Sequence, residues 1–341
     1  MSSDRHEADQ DRTIAIWLLC VAAMVAVMVV IGGITRLTGS GLSMVEWRPL
    51  VGWLPPITNE QWVRSFALYQ NSPEYLKLNN WMELEDFKRI FWWEYLHRLW
   101  GRLIGLAFLL PLAWFAWCGM VRRALIPRLV LLFLLGATQG GVGWWMVKSG
   151  LVEDPTVSQY RLAVHLFIAF AILAALSWTV MQMFNVPRAD VVASVRVHSW
   201  LIFWLVSITV IAGAFVAGLD AGRVHNTFPL MDGKILPPGY NRLAPVWLNA
   251  FENPTAAQFN HRALALLTLL VIIIFLVRII RSGLDAHYRL PAHALAAAVI
   301  VQVTLGIGTL LTVVPVDLAT LHQGGAVLLF CVSLWVVYVL G

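Results

Sequence analysis

Four histidines occupy matching places in the two halves of this 341-residue sequence. His97 and His261 are each followed by an arginine and a long apolar stretch, and His165 and His322 stand near the start of the last apolar stretch of their half. Ionisable side chains in apolar membrane segments are costly and are usually functional. A single histidine of this kind could be a hydrogen-bonded packing residue, but four matching ones predict two bis-imidazole metal sites, one in each half.

Haem is the group that best fits two histidines per site among Trp, Phe, Leu and Gly. Zinc sites usually add cysteine or carboxylate ligands in a tetrahedron, whereas two imidazoles can take both axial positions of a haem whose macrocycle lies between apolar walls. Glycines close to these histidines would let a flat ring approach the backbone, or would serve close helix packing. They are Gly101, Gly105, Gly136, Gly140, Gly141, Gly143, Gly306 and Gly308.

The arginines that follow two of the histidines are candidate partners of haem propionates. Arg98 and Arg262 could each donate two parallel hydrogen bonds to a carboxylate through the guanidinium group. Alternatively, the two side chains extend toward lipid headgroups.

The two halves differ three residues before the first histidine of each. Glu94 precedes His97, whereas Gln258 precedes His261. Residues three apart share a helix face, so the first half would place a carboxylate beside its metal and the second only an amide. This asymmetry favours chemistry in the first half, with Glu94 transferring protons or stabilising positive charge, and a permanent electron-transfer cofactor in the second. Alternatively, Glu94 caps the first turn of its helix, where negative charge is favourable.

The composition predicts an all-α membrane protein. The chain is 59% hydrophobic and 13% charged, about half the charge of a soluble domain. Apolar runs of this length predict membrane-spanning helices, because a backbone in lipid must satisfy its own hydrogen bonds. The first run lacks a cleavage signal and is interpreted as a retained helix. The eight predicted spans are 14–34, 99–120, 125–147, 162–184, 200–219, 263–280, 291–314 and 318–340.

The sequence contains an internal repeat of a four-helix unit. Each half carries a Gln-x-x-x-Gly motif in its third span, beginning at Gln139 and at Gln302. In addition, the spacing between Gly33 and Pro49 in the first half equals the spacing between Gly213 and Pro229 in the second. Four is an even number of crossings, so the copies have the same orientation and predict two four-helix bundles related by a pseudo-twofold axis along the membrane normal. The predicted divisions are a cytoplasmic tail (1–13), a first half (14–184), a cytoplasmic linker (185–198) and a second half (199–341).

The loop charges predict the orientation in the membrane. Arginines concentrate in the loops after the second, fourth and sixth spans, which by the positive-inside rule are cytoplasmic. Both termini are then inside, and all four histidines lie toward the outer face. The net charge of +5 comes from these short loops and does not indicate nucleic-acid binding.

The chain resembles the haem A synthase family. The similarity rests on Glu94-x-x-His97-Arg98, on segment 35–44 (TRLTGSGLSM), on Gln139-Gly140 and on the four histidines, and it covers about residues 12–340. The absence of cysteine pairs from the predicted outer loops places the chain with the mitochondrial and proteobacterial branch.

This resemblance implies a haem-dependent oxidoreductase that oxidises a ring methyl of haem O in steps to a formyl group, giving haem A for cytochrome oxidase. It implies that His97 and His165 hold the substrate haem, that Glu94 is catalytic, and that His261 and His322 ligate haem B. Two axial imidazoles leave no iron position for oxygen, so either one of the first pair dissociates or the chemistry starts elsewhere. Haem O synthase, oxidase assembly factors and a second copy of the chain are expected partners. The expected location is a bacterial or mitochondrial inner membrane.

Two other functions share some of these features. A two-haem cytochrome b that takes electrons from quinol would also use four histidines. It would, however, place its haems at different depths in the membrane, and it would not explain why one half has Glu94 where the other has Gln258. A transporter built from repeats would place its site near the bilayer midplane, whereas these histidines lie toward one face.

Overall fold

The computed structural model of the chain describes residues 2–46, 52–152 and 154–341, with side chains from residue 9 onward. Pro49, one end of the spacing that the sequence repeats, lies outside these residues. Within the described residues the chain is helical, with one isolated β-bridge between Met231 and Lys234.

Ten α-helices follow one another along the chain: α1 (Ser2–Leu37), α2 (Asn59–Gln70), α3 (Leu84–Trp117), α4 (Ile126–Ser149), α5 (Gln159–Met183), α6 (Ala193–Gly218), α7 (Asn249–Glu252), α8 (Pro254–Ile280), α9 (Ala286–Leu311) and α10 (Val316–Leu340). A π-helix (Tyr75–Asn79) follows α2, and two 3₁₀ turns (Ala221–Arg223 and Val246–Leu248) lie between α6 and α7.

Eight of these helices are long and apolar enough to cross a membrane, which confirms the predicted all-α membrane fold with eight spans. They are α1, α3, α4, α5, α6, α8, α9 and α10. Large apolar side chains such as Leu110, Trp117 and Leu134 are exposed along them, as expected of surfaces that face lipid rather than water. The chain is therefore a multi-pass membrane protein.

The third helix begins much earlier than its apolar run. The predicted span starts at 99, but α3 starts at Leu84, where Glu83 and Asp86 form reciprocal side-chain to backbone hydrogen bonds across the first turn. Such a capping arrangement satisfies amide groups that have no partner within the helix. Glu94 and His97 consequently lie inside α3, and the alternative that Glu94 caps the first turn is wrong.

Hydrogen bonds at its first residues also fix the start of α8. Asn253 is fully buried; its side-chain oxygen accepts from the Thr255 amide, and its Nδ2 donates to the carbonyls of Gly239 and Tyr240. Pro254 then occupies the first helical position, where a missing amide hydrogen costs nothing. His261 lies about two turns further along α8.

The chain divides into two compact units, residues 1–172 and 173–341, with the division inside α5. The predicted halves, which meet in a linker at 185–198, and the predicted pseudo-twofold relation stay predictions. In the second unit, α6 packs against α8, α8 against α9, α9 against α10 and α10 against α6. These contacts close a four-helix ring.

In the first unit α1 packs along α3. The indole of Trp17 on α1 donates to the Ala107 carbonyl of α3 at 2.7 Å, and the indole of Trp100 on α3 donates to the Met24 carbonyl of α1 at 2.9 Å. An indole donor buried in lipid or protein needs such a partner. These two bonds fix α1 against the helix that carries Glu94 and His97.

Candidate metal centres

In the first unit, Arg98 holds the segment that follows α1. Its guanidinium donates to the carbonyls of Met44 (2.7 Å) and Glu46 (3.0 Å), and also to Glu94 Oε1, from Nε at 3.0 Å and from Nη2 at 2.6 Å. Glu94 Oε2 accepts from the Ser43 hydroxyl (2.6 Å) and from the Met44 amide (2.7 Å). Both carboxylate oxygens of Glu94 are thus occupied by donors.

The second unit repeats this arrangement at the corresponding residues. Arg262 donates to the carbonyls of His225 (2.6 Å) and Thr227 (2.7 Å), which stand two residues apart as Met44 and Glu46 do. Gln258 donates from Nε2 to the same His225 carbonyl at 3.0 Å. Arg98 therefore holds the segment after α1, and Arg262 holds the segment after α6. Contact of these arginines with haem propionates stays a prediction.

Glu94 and Gln258 are equivalent in position but opposite in hydrogen bonding. Glu94 is 3% exposed and accepts four hydrogen bonds, whereas Gln258 is 2% exposed and donates one, with its Oε1 buried and without a protein partner. A carboxylate that accepts from an arginine fork, a hydroxyl and an amide is held in one orientation. The first unit thus carries a fixed negative charge where the second carries a neutral amide.

Each of the four histidine rings packs against a glycine of a neighbouring helix. A Cβ at Gly32 of α1 would lie 3.2 Å from Nε2 of His97, and a Cβ at Gly213 of α6 would lie 3.1 Å from Cε1 of His261. These contacts pair Gly32 with Gly213, whereas the spacing in the sequence pairs Gly33 with Gly213.

The same contact recurs in the second helix pair of each unit. A Cβ at Gly143 of α4 would lie 3.0 Å from Cε1 of His165, and a Cβ at Gly306 of α9 only 2.8 Å from Cε1 of His322. Real side chains hardly ever approach this closely, so a glycine backbone forms one wall for each imidazole.

The histidines of the second unit face each other at a distance suited to one metal ion. The ring centres of His261 and His322 are 6.5 Å apart and the ring planes are nearly perpendicular, at 85°. Two imidazoles bound to one metal through bonds of about 2 Å place their ring centres roughly 6 Å apart. Nδ1 of His261 bonds to the Thr209 carbonyl at 3.1 Å. A bond of this kind typically orients a metal-ligating histidine and directs Nε2 to the metal.

The glutamine of each Gln-x-x-x-Gly motif reaches the histidine of the next helix. Gln139 Nε2 donates to the His165 carbonyl at 3.1 Å, and Gln302 Nε2 donates to the His322 carbonyl at 3.0 Å. Gln139 Nε2 also lies 3.3 Å from Nε2 of His165. Each glutamine thus links α4 to α5, or α9 to α10, at the level of a predicted ligand.

These surroundings fit a haem better than a bare metal ion. Nδ1 of His165 and Nδ1 of His322 are buried without protein partners. Among the residues that the structure describes, no three His, Cys, Asp or Glu side chains come together as a metal site. In the second unit, two facing imidazoles with no third protein ligand among the described residues would suit a haem, which supplies the other donors to its iron itself.

Comparison with known proteins gives full-length matches. Residues 15–334 match the model of a family described as cytochrome oxidase assembly protein. The chain is 48% identical over 338 residues to a heme A synthase of Rhodospirillum centenum, covering 98% of this chain and 90% of the relative. It is 49% identical over 330 residues to a heme A synthase of Nitrosospira multiformis, covering 95% and 92% of the two chains. A third heme A synthase, from Paramagnetospirillum magneticum, is 47% identical over 340 residues.

The chain belongs to this cytochrome oxidase assembly family. The resemblance inferred from the residues is thereby confirmed, and the match includes Glu94 and all four histidines within residues 15–334.

Sequence reasoning missed several residues that shape the sites of this family member. Gly32 and Gly213 were not associated with histidines, because a glycine next to a ring has no pattern of its own. Ser43 lies in the segment that carried the family resemblance, but its bond to Glu94 was not foreseen. The Thr209 carbonyl is a backbone group, which the identity of the residue cannot reveal.

Proposed function

We propose that this chain is a membrane-bound haem-dependent oxidoreductase that oxidises a ring methyl of haem O to the formyl group of haem A, for use by cytochrome oxidase. The observation that carries the proposal is the near-complete coverage of heme A synthases at 46–49% identity. In this chain four partly buried histidines each pack against a glycine. Membership of the family makes the pure electron carrier the weaker alternative.

In this proposal the two units hold different haems. His97 and His165 hold the substrate haem O in the first unit, and His261 and His322 hold haem B in the second. When bound, haem B supplies reversible one-electron chemistry. The bond from Nδ1 of His261 to the Thr209 carbonyl supports a ligand role for that ring, because it fixes the imidazole with its other nitrogen available.

Glu94 acts in this proposal as a fixed negative charge. Its four hydrogen bonds come from Arg98, Ser43 and Met44, and a carboxylate has about four acceptor positions, so none is left to bind a proton of the substrate. Of the two roles that the sequence left open, stabilisation of positive charge that develops on the substrate is therefore favoured. The carboxylate needs no reorganisation for that task, since the protein holds it in place before the reaction.

The membrane setting completes the proposal. The farnesyl tail of haem O can lie between apolar helices or in lipid, which explains why the site is built within a multi-pass protein. We propose that the chain lies in a bacterial or mitochondrial inner membrane, with both termini inside and the haem sites toward the outer face. Haem O synthase, oxidase assembly factors and a further copy of the chain are proposed partners.

The first test is the identity of the haems, determined by acid extraction and chromatography of protein produced with a source of haem O. We expect haem B together with haem O, hydroxylated haem or haem A. Two haem B per chain and no farnesylated haem would contradict the proposal and favour an electron-carrying cytochrome b.

The second test is Glu94→Gln. We expect the variant to keep its fold and its haem B, because Gln258 occupies the equivalent place in the second unit, and to form haem A about 100-fold more slowly. Glu85→Gln is the matched control, since Glu85 lies on the same helix but is exposed and pairs only with Lys88 in the described contacts. Normal haem A formation by Glu94→Gln would refute the role of the carboxylate.

A further inference from the structure

We infer that the Gln-x-x-x-Gly motifs of α4 and α9 are positioning devices for the axial histidines of α5 and α10. The inference rests on the proposed haem ligation and assigns a task to a motif that the proposed reaction leaves unused. In each motif the glutamine donates a hydrogen bond to the backbone carbonyl of the histidine, and the glycine packs against the imidazole ring. Gln139 and Gly143 would thus orient His165, and Gln302 and Gly306 would orient His322.

The first part of the device fixes the ligand helix. In an α-helix the carbonyl of a residue already accepts from the amide four residues later. The additional bonds from Gln139 to His165 and from Gln302 to His322, at 3.1 and 3.0 Å, therefore use the second lone pair of each carbonyl. Each bond joins the histidine-bearing helix to its neighbour at the histidine itself. It therefore fixes the position of that helix along its axis and its rotation about the axis.

The second part fixes the ring. The glycine four residues after the glutamine lies one turn along the same helix face, and its missing side chain is the space that the imidazole occupies. A methyl group at Gly143 or Gly306 would stand 3.0 or 2.8 Å from Cε1 of the ring. The imidazole would have to rotate or withdraw, and its Nε2 would move with it.

The two devices differ in one respect. In the second unit the Gln302 amide lies directly against Gly325, where any Cβ would clash with Oε1, so Gly325 makes room for it on α10. The corresponding place in the first unit, three residues after His165, holds Ile168. There the amide of Gln139 lies within 3.3 Å of the imidazole Nε2 itself. Gln302 thus orients only the backbone of His322, whereas Gln139 also contacts the ring of His165.

The experiment compares Gly143→Ala and Gly306→Ala with Thr138→Ala and Thr304→Ala. The control threonines lie on the same two helices, are exposed, and donate to the carbonyl four residues earlier in their own helix. Gln302→Leu and Gly325→Ala test the glutamine independently of the glycine wall. The readouts are the haem bound per chain, separated into haem B and farnesylated haem, and the electron paramagnetic resonance g-values of the ferric haems, which report the orientation of the axial rings.

We expect Gly306→Ala, Gln302→Leu and Gly325→Ala to weaken haem B binding by about 10- to 100-fold, or to shift its g-values, with the farnesylated haem retained. Gly143→Ala should affect only the farnesylated haem. The haem of the unaltered unit shows that each variant folds. Spectra equal to those of the controls, or loss of both haems together, would overturn the inference.

Failure of the underlying function would look different. If the wild-type protein carried no low-spin haem, or if His322→Ala kept its haem B, the proposed ligation would be wrong. If wild type and His322→Ala behave as proposed but Gly306→Ala matches Thr304→Ala, only the positioning role is refuted.

Discussion

Glu94 and Arg98 form a largely buried ion pair. Arg98 is 12% exposed and Glu94 3%, and the fork donates from two nitrogens to one carboxylate oxygen. Removing one member of a buried pair leaves the other charge without compensation, which costs more than the pair itself contributes. The stability of this region should therefore depend on both residues together.

At the residue scale we predict strong coupling between these two side chains. Arg98→Ala should lower the free energy of unfolding by about 3 kcal/mol, because Glu94 loses its fork. Arg98→Ala combined with Glu94→Gln should cost clearly less than the sum of the single changes. The measurement is a double-mutant cycle from reversible unfolding in detergent. Arg262→Ala with Gln258→Leu is the comparison without an ion pair, and additive effects in the first unit would contradict the prediction.

At the element scale, α2 and the π-helix form a small structure with its own buried carboxyl group. Glu74 accepts a hydrogen bond from the Tyr69 hydroxyl at 3.0 Å, and Asn79 donates to that hydroxyl at 2.8 Å. Burial raises the pKa of Glu74 to about 7, and the nearby charge of Glu94 adds to the increase. Burial also raises the pKa of Tyr69, which stays protonated. The surroundings are the aromatic cluster of Trp62, Tyr69, Phe87, Phe91 and Tyr95.

This segment should lose stability as the pH rises. The pKa of Glu74 is about 7 in the folded protein against 4.5 as the ordinary value, so the unfolded segment releases its proton first. Below pH 4.5 Glu74 is protonated in both states, and its full contribution to the stability of the segment is present. As the pH rises from 4.5 to 7, this contribution is lost, and the free energy of unfolding falls by an amount on the order of 3 kcal/mol.

Hydrogen exchange of the amides of α2 and the π-helix, corrected for intrinsic rates, measures this effect at pH 5 and pH 8. Glu74→Gln should remove the pH dependence, whereas Glu60→Gln, an exposed change on α2, should preserve it. A wild-type segment equally protected at both pH values would argue against a raised pKa.

The elements also show which features a sequence can predict. Eight spans were predictable because lipid demands long apolar helices, and the four histidines because they repeat. The start of α3 was not, because Glu85, Asp86, Lys88 and Arg89 interrupt the apolar run without interrupting the helix. The acceptors of Arg98 and Arg262 were not predictable either, since they are backbone carbonyls. Which glycine meets which ring depends on the rotation of two helices, and hydropathy says nothing of that.

At the scale of the whole molecule, the loop charges predict the orientation in the membrane. Arg122, Arg123 and Arg281 lie in loops predicted to be inside, and Glu60 and Lys234 in segments predicted to be outside. In intact cells, a membrane-impermeant maleimide should label Glu60→Cys and Lys234→Cys but not Arg123→Cys or Arg281→Cys. The background replaces Cys20, Cys118 and Cys331 by serine. Permeabilised cells, in which all four sites should react, provide the control, and the reverse labelling pattern would exclude the predicted orientation.

In each unit one arginine donates to two backbone carbonyls, an arrangement called here the arginine clamp, and its occurrence in both units indicates how the chain arose. Arg98 and Arg262 hold carbonyls at the same two places of their segments, Met44 and Glu46 in one unit and His225 and Thr227 in the other. Agreement at the level of single atoms is what duplication and fusion of one ancestral gene would leave. If the two units hold different haems, as proposed, then the carboxylate of Glu94 and the amide of Gln258 are a difference that arose between two copies sharing the same clamp.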